Sequence, residues 1–70
     1  MKIKIEKLKE LMQDRYNGNY NAFARDAKID VALLYRIMNG QANAGMKTIN
    51  SLIEYLKANS LKVKDYIFLP

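Results

Sequence analysis

The chain is 70 residues long, with 12 Lys and Arg against 7 Asp and Glu, a net charge of +5, and neither cysteine nor histidine. That length allows one domain, burying only about 60% of the surface its unfolded chain exposes, and the missing residue types exclude disulfides, thiolate or imidazole metal sites and a histidine general base. So large a positive excess on so short a chain points to a polyanionic partner, or merely to a basic protein kept in solution by its charge.

The start, Met1-Lys2-Ile3-Lys4-Ile5, is basic, but Glu6 follows and no apolar run does, so no signal peptide is expected. Apolar stretches fall far short of the roughly 18 residues that span a bilayer. A cytoplasmic protein without membrane contact is expected. Ile5, Leu8, Leu11 and Met12 recur at helical spacing and predict an amphipathic helix over 5–15. Tyr16-Asn17-Gly18-Asn19 is a turn, with Gly18 the positive-φ residue. Asn19 caps a second helix over 20–27, with Tyr20, Phe23, Ala24 and Ala27 on one side. Lys28-Ile29 forms a tight turn. Asp30 caps a third helix over 31–39, with Leu34, Ile37 and Met38 inward, stopped by Asn39 and a left-handed Gly40. After the small polar loop 41–45, Met46, Ile49, Leu52, Ile53 and Leu56 predict a fourth helix over 46–58. Asn59-Ser60 ends it. The apolar tail 61–69 is too short to choose between a fifth helix at 63–67 and an extended segment.

Helices 20–27 and 31–39 are joined by a turn too short to let them stack antiparallel. That is a helix-turn-helix layout, whose second helix is offered to the DNA major groove. Phe23-Ala24, then Lys28-Ile29-Asp30, then Leu34, Ile37 and Asn39-Gly40, followed by Met46, Thr48, Ile49 and Leu52, resembles the Cro and phage-repressor (XRE) helix-turn-helix family over about residues 5–57. Ala24 stands where that family keeps a small residue between the two helices, and Ile29 at its apolar turn position. Lys28 stands where the family usually has glycine, Tyr20 where it has glutamine, Asp30 where it has Ser or Thr. Met38 replaces a common Glu and Ala44 a common Pro. The resemblance implies an all-α, compact four- to five-helix lambda-repressor-like domain. It also implies a sequence-specific double-stranded DNA-binding transcriptional regulator, a repressor of phage or mobile-element type, acting as a homodimer on a palindromic operator.

On the predicted recognition helix, Val31, Ala32, Tyr35 and Arg36 are the candidates for base contact. Arg36 is suited to guanine O6 and N7 or to a phosphate, and Val31 and Ala32 to a thymine methyl. Tyr20, Asn21 and Arg25 on the second helix, and Gln41, Asn43 and Lys47 around the loop, are the candidate phosphate contacts. From 15 to 47, Arg15, Arg25, Lys28, Arg36 and Lys47 stand against Asp26 and Asp30, so +3 of the net charge lies in this half. The cluster Lys2, Lys4, Lys7 and Lys9 is assigned to solubility instead. Tyr55, Tyr66, Ile67, Phe68 and Leu69 are the apolar residues left over once a four-helix core is filled, and are expected at the dimer contact; the alternative is that they cap the core of a monomer that dimerises only on DNA. No cofactor, metal, small-molecule ligand or catalysis is expected. No ligand domain is expected, so control is expected from concentration, another protein or dimerisation. The alternative reading is a protein-interaction module on the same fold, such as an antitoxin or an antirepressor partner.

Overall fold

Each of the four main helices is written locally, and three of them end in the same way. The computed structural model describes residues 1–69. It contains β1 (Lys2–Ile3), α1 (Ile5–Tyr16), α2 (Tyr20–Ala27), α3 (Val31–Met38), α4 (Met46–Ala58), a single 3₁₀ turn (Val63–Asp65) and β2 (Ile67–Phe68). The domain is all-α apart from that pair of two-residue strands. α1 buries Leu8, Leu11 and Met12, and stops where Asn17 and Gly18 both take positive φ, 52° and 76°. The Asn19 side chain accepts the Ala22 amide at 3.1 Å, and Asp30 accepts the Leu33 amide at 3.1 Å, so both expected N-caps form.

α2 closes with Ile29 N–H on the Ala24 carbonyl at 2.9 Å and Lys28 N–H on the Arg25 carbonyl at 3.3 Å. This crossed pair is a Schellman motif, with Lys28 as its left-handed residue at φ 59° and Ile29 buried behind it. α3 repeats it at Gly40 (φ 75°), with Gln41 N–H on Arg36 and Gly40 N–H on Ile37. α4 repeats it at Ser60 (φ 58°), with Leu61 N–H on Leu56. Three helix ends thus use one device, with glycine in only one of them. A left-handed residue with a side chain is strained by about 1–2 kcal/mol, part of which glycine returns through unfolded-chain entropy. Lys28→Gly is therefore expected to raise stability by up to about 1 kcal/mol, read as a higher urea midpoint at unchanged slope.

α1, α2 and α4 close around Phe23, which is fully buried. Its ring stands edge-on to Tyr16 (centroids 5.6 Å, 77°) and to Tyr55 (5.1 Å, 75°), the geometry aromatic quadrupoles favour. The Tyr16 hydroxyl lies 2.9 Å from Asp26 Oδ2 and 2.8 Å from the Tyr55 hydroxyl. Its one proton goes to the carboxylate, so Tyr55 donates to Tyr16. Desolvation first, and then the hydrogen bond it donates to the Asp26 carboxylate, hold the Tyr16 phenol proton well above its ordinary range. Because the folded state binds this proton more tightly than the unfolded chain, the stabilisation is complete below about pH 10 and is lost as pH rises above it. Tyr16→Phe should flatten the alkaline limb of a stability–pH curve. An equally steep limb in the variant would assign the loss to other groups.

The tail resolves into both of the forms expected as alternatives: a 3₁₀ turn, then a strand. β2 pairs antiparallel with β1, Lys2 opposite Phe68 and Ile3 opposite Ile67, and Lys4 N–H reaches the Tyr66 carbonyl at 2.7 Å. No feature of the sequence reading anticipated β1. The pairing corrects the expected dimer surface. Alternation along a strand turns Ile67 into the core, fully buried beside Ile3, and leaves Phe68 and Leu69 outside, 57% and 53% exposed. Tyr55 is also core, turned between α1 and α2, and Tyr66 is half-buried against the cluster. Tyr55 and Ile67 are thus removed from the candidate interface. Met46, expected inward, is exposed at 60%, because the first turn of α4 projects beyond the core; Met38 and Ile53 sit at its margin.

Candidate nucleic-acid interface

α2 and α3 are each eight residues long and meet across the Lys28–Ile29 turn. Leu34 and Ile37 anchor α3 in the core, with Val31, Leu33 and Met38 half-buried on either side. What remains outward is Ala32, Tyr35, Arg36 and Asn39, at positions i, i+3, i+4 and i+7, which share one helix face. Three of the four expected base-contact residues lie on this face. Val31 does not: it is packed partly against the core, because it stands one turn above Leu34. Asn39, read in the sequence only as a helix stop, completes the face. Its signal was the i+7 spacing from Ala32, obscured by its role as the C-cap.

Tyr20 and Tyr35 hold a contact that neither residue predicted alone. Their rings lie 4.7 Å apart at 32°, so the first residue of α2 supports the middle of α3. Tyr20 is half-buried, which ties its ring to α3 rather than leaving it free beside Asn21 and Arg25, both fully outward.

Around this face the helix ends differ in charge. The Asp30 carboxylate neutralises the amide end of α3, which makes that end a poor seat for an anion. α2 is capped by neutral Asn19. α4 has no side-chain cap at Gly45, so its first amides are open, with Lys47 beside them. Arg25, Arg36, Gln41, Asn43 and Lys47 are all exposed, and none enters a side-chain hydrogen bond with another described residue. Asn43 and Gly40 also line a shallow groove of about 160 Å³ with Lys2 and Ile3 of β1. Lys2 therefore joins the 40–44 loop and stands apart from the lysines expected to serve solubility. Only the β1–β2 pairing brings it there.

A larger cleft, about 340 Å³, lies between the ends of α1 and α2 and the second half of α4, lined by Tyr16, Asp26, Lys28, Glu54, Tyr55 and Asn59 among others. It carries two carboxylates and one cation, Lys28, and its lining on α4 runs from Ser51 to Asn59, about 6–18 Å along the helix from Lys47. Among the described residues no group of His, Cys, Asp and Glu is arranged to hold a metal ion, and no helix is long and apolar enough to cross a membrane.

Comparison with family models, with curated proteins and with solved structures finds no match to this chain.

Proposed function

We propose that the protein binds double-stranded DNA sequence-specifically and acts as a transcriptional regulator, with α3 laid into the major groove. The observation that carries this reading is the outward face of α3. It projects from a helix pair on a tight turn and bears Arg36, and Arg25 on α2 and Lys47 in the first turn of α4 are exposed as well. A helix of about 10–12 Å diameter fits a major groove about 12 Å wide. On this reading Arg25 and Asn21, the uncapped start of α4 with Lys47, and the loop Gln41 to Asn43 hold phosphates. Repression of phage or mobile-element type comes from the resemblance to the Cro and phage-repressor family alone.

A homodimer on a palindromic operator is part of the proposal. The protein measures 29 × 27 × 20 Å, less than the 34–36 Å between successive major-groove faces of one side of B-DNA. One copy therefore reads one half-site. Phe68 and Leu69, with Tyr66 at their margin, remain available for the contact between copies. The same exposed residues favour the second reading, a protein-interaction module that uses this apolar end on another protein.

The test is selection of bound duplexes from a random pool. Arg36→Ala should relax preference at one base pair and cost about 1–3 kcal/mol there. Lys47→Ala should weaken all duplexes alike, as loss of a phosphate contact does. Recovery of no preferred sequence, or two variants indistinguishable from the parent, would overturn the proposal.

A further inference from the structure

The outward face of α3 is chemically unusual for a surface that reads bases. Its first turn, the part of a recognition helix that enters the groove deepest, presents Ala32, and Tyr35 follows at the middle of the helix. Ala32 has no hydrogen-bonding group beyond the backbone. The Tyr35 ring is 47% exposed and braced from behind by Tyr20 at 4.7 Å. Arg36 is the one charged donor of the face, and Asn39 lies a full turn farther on, at the helix C-cap. Val31, the other residue of the first turn, is aliphatic and half-buried. To the apolar part of this surface, Ala32 and the Tyr35 ring, the direct code of the major groove offers one partner: the C5-methyl of thymine, the only apolar group displayed there.

Resting on the DNA-binding reading above, we infer that the specificity of this protein is carried chiefly by thymine methyl groups. Ala32 and the exposed Tyr35 ring meet them, and Tyr20 is the positioning residue that holds the ring. Arg36 adds one guanine or phosphate contact. The pairing of Tyr20 with Tyr35 is what makes the ring a fixed surface. A lone tyrosine on a helix exterior samples several rotamers, whereas a ring packed at centroid distance 4.7 Å on a half-buried neighbour is held in one. The preferred half-site would thus contain at least two thymines at which the methyl matters, beside one position set by Arg36.

The probe is the tightest duplex recovered from the random pool, with each thymine exchanged in turn for deoxyuridine, which deletes the methyl and leaves the hydrogen-bonding pattern intact. Binding by the whole chain is expected to fall about fourfold at each of two positions per half-site, the equivalent of one buried methyl group, and to be unchanged elsewhere. Ala32→Gly should abolish the sensitivity at one of these positions. Tyr20→Ala should abolish it at the other, and Tyr20→Phe, which keeps the ring, should restore it; a purely structural role of Tyr20 would weaken binding to the thymine and deoxyuridine duplexes equally. If the selected duplex binds tightly and every deoxyuridine exchange is silent, this inference is overturned while DNA binding stands. If no duplex is selected, the DNA-binding reading fails and this inference with it.

Discussion

Ile67→Ala is expected to lower the free energy of unfolding by about 2–5 kcal/mol, whereas Phe68→Ala should change it by about 0.5 kcal/mol or less. The two residues are neighbours in the chain and similar in hydrophobicity. Their difference is the side of a two-residue strand. Ile67 is fully buried opposite Ile3, and Phe68 is 57% exposed opposite Lys2, with the Lys4 ammonium 5.0 Å from its ring centre. At about 0.05–0.15 kcal/mol per residue, a domain this size has a total stability of only about 4–10 kcal/mol, so Ile67→Ala removes about a fifth of it or more. Urea unfolding followed by circular dichroism reads both variants. A slip of the β1–β2 register by one residue would exchange the two faces, and the order of the two effects would then reverse. Phe68→Asp should likewise leave a folded protein, and sedimentation of that variant beside the parent reports whether the exposed end joins two copies.

DNA affinity is expected to fall about 10²–10³-fold for a fourfold rise in salt. The slope of log K against log salt is about −0.9 per phosphate neutralised. Arg25, Arg36 and Lys47 are exposed on α2, α3 and the first turn of α4, and Lys2 lies beside the 40–44 loop. Three to five such contacts give a slope of about −3 to −5. Asp30 works against this, since its carboxylate keeps its negative charge while it accepts the Leu33 amide at 3.1 Å. The measurement is fluorescence anisotropy of a labelled duplex across a salt series. A flat slope would remove nucleic acid as the partner and leave the protein-interaction module. Lys2→Ala should reduce the slope by about one unit if the 40–44 loop lies against the backbone, and would leave it unchanged if Lys2 serves solubility alone.

The helices that would carry DNA recognition were legible because their signals are local. Asn19 and Asp30 reach amides three residues away, Gly40 supplies the left-handed stop, and Leu34 and Ile37 repeat at the helical period; α2 spans the 20–27 read from the sequence, and α3 ends one residue short of the expected 39. The outward Ala32, Tyr35 and Arg36 follow from that phase. Lys28 shows a limit even at short range. Its positive φ follows from the hydrogen bonds of the Schellman turn, which override the preference of its side chain.

The sequence by itself determined four amphipathic helices, their caps, the tight turn between the second and third, and the excess of positive charge around them. Each depends on residues within about one helical turn of one another. The tertiary structure alone decided the two ends of the chain. Residues 66–69 are an unbroken apolar run with no period to assign faces, and a strand acquires an inside and an outside only from its partner. That partner, Lys2–Ile3, lies more than 60 residues away. The pairing sends Ile67 inward and Phe68 outward and sets Lys2 beside the 40–44 loop. The Tyr20–Tyr35 stack was hidden for the same reason: it spans two helices, and its distance depends on how they cross, which no spacing within either helix encodes.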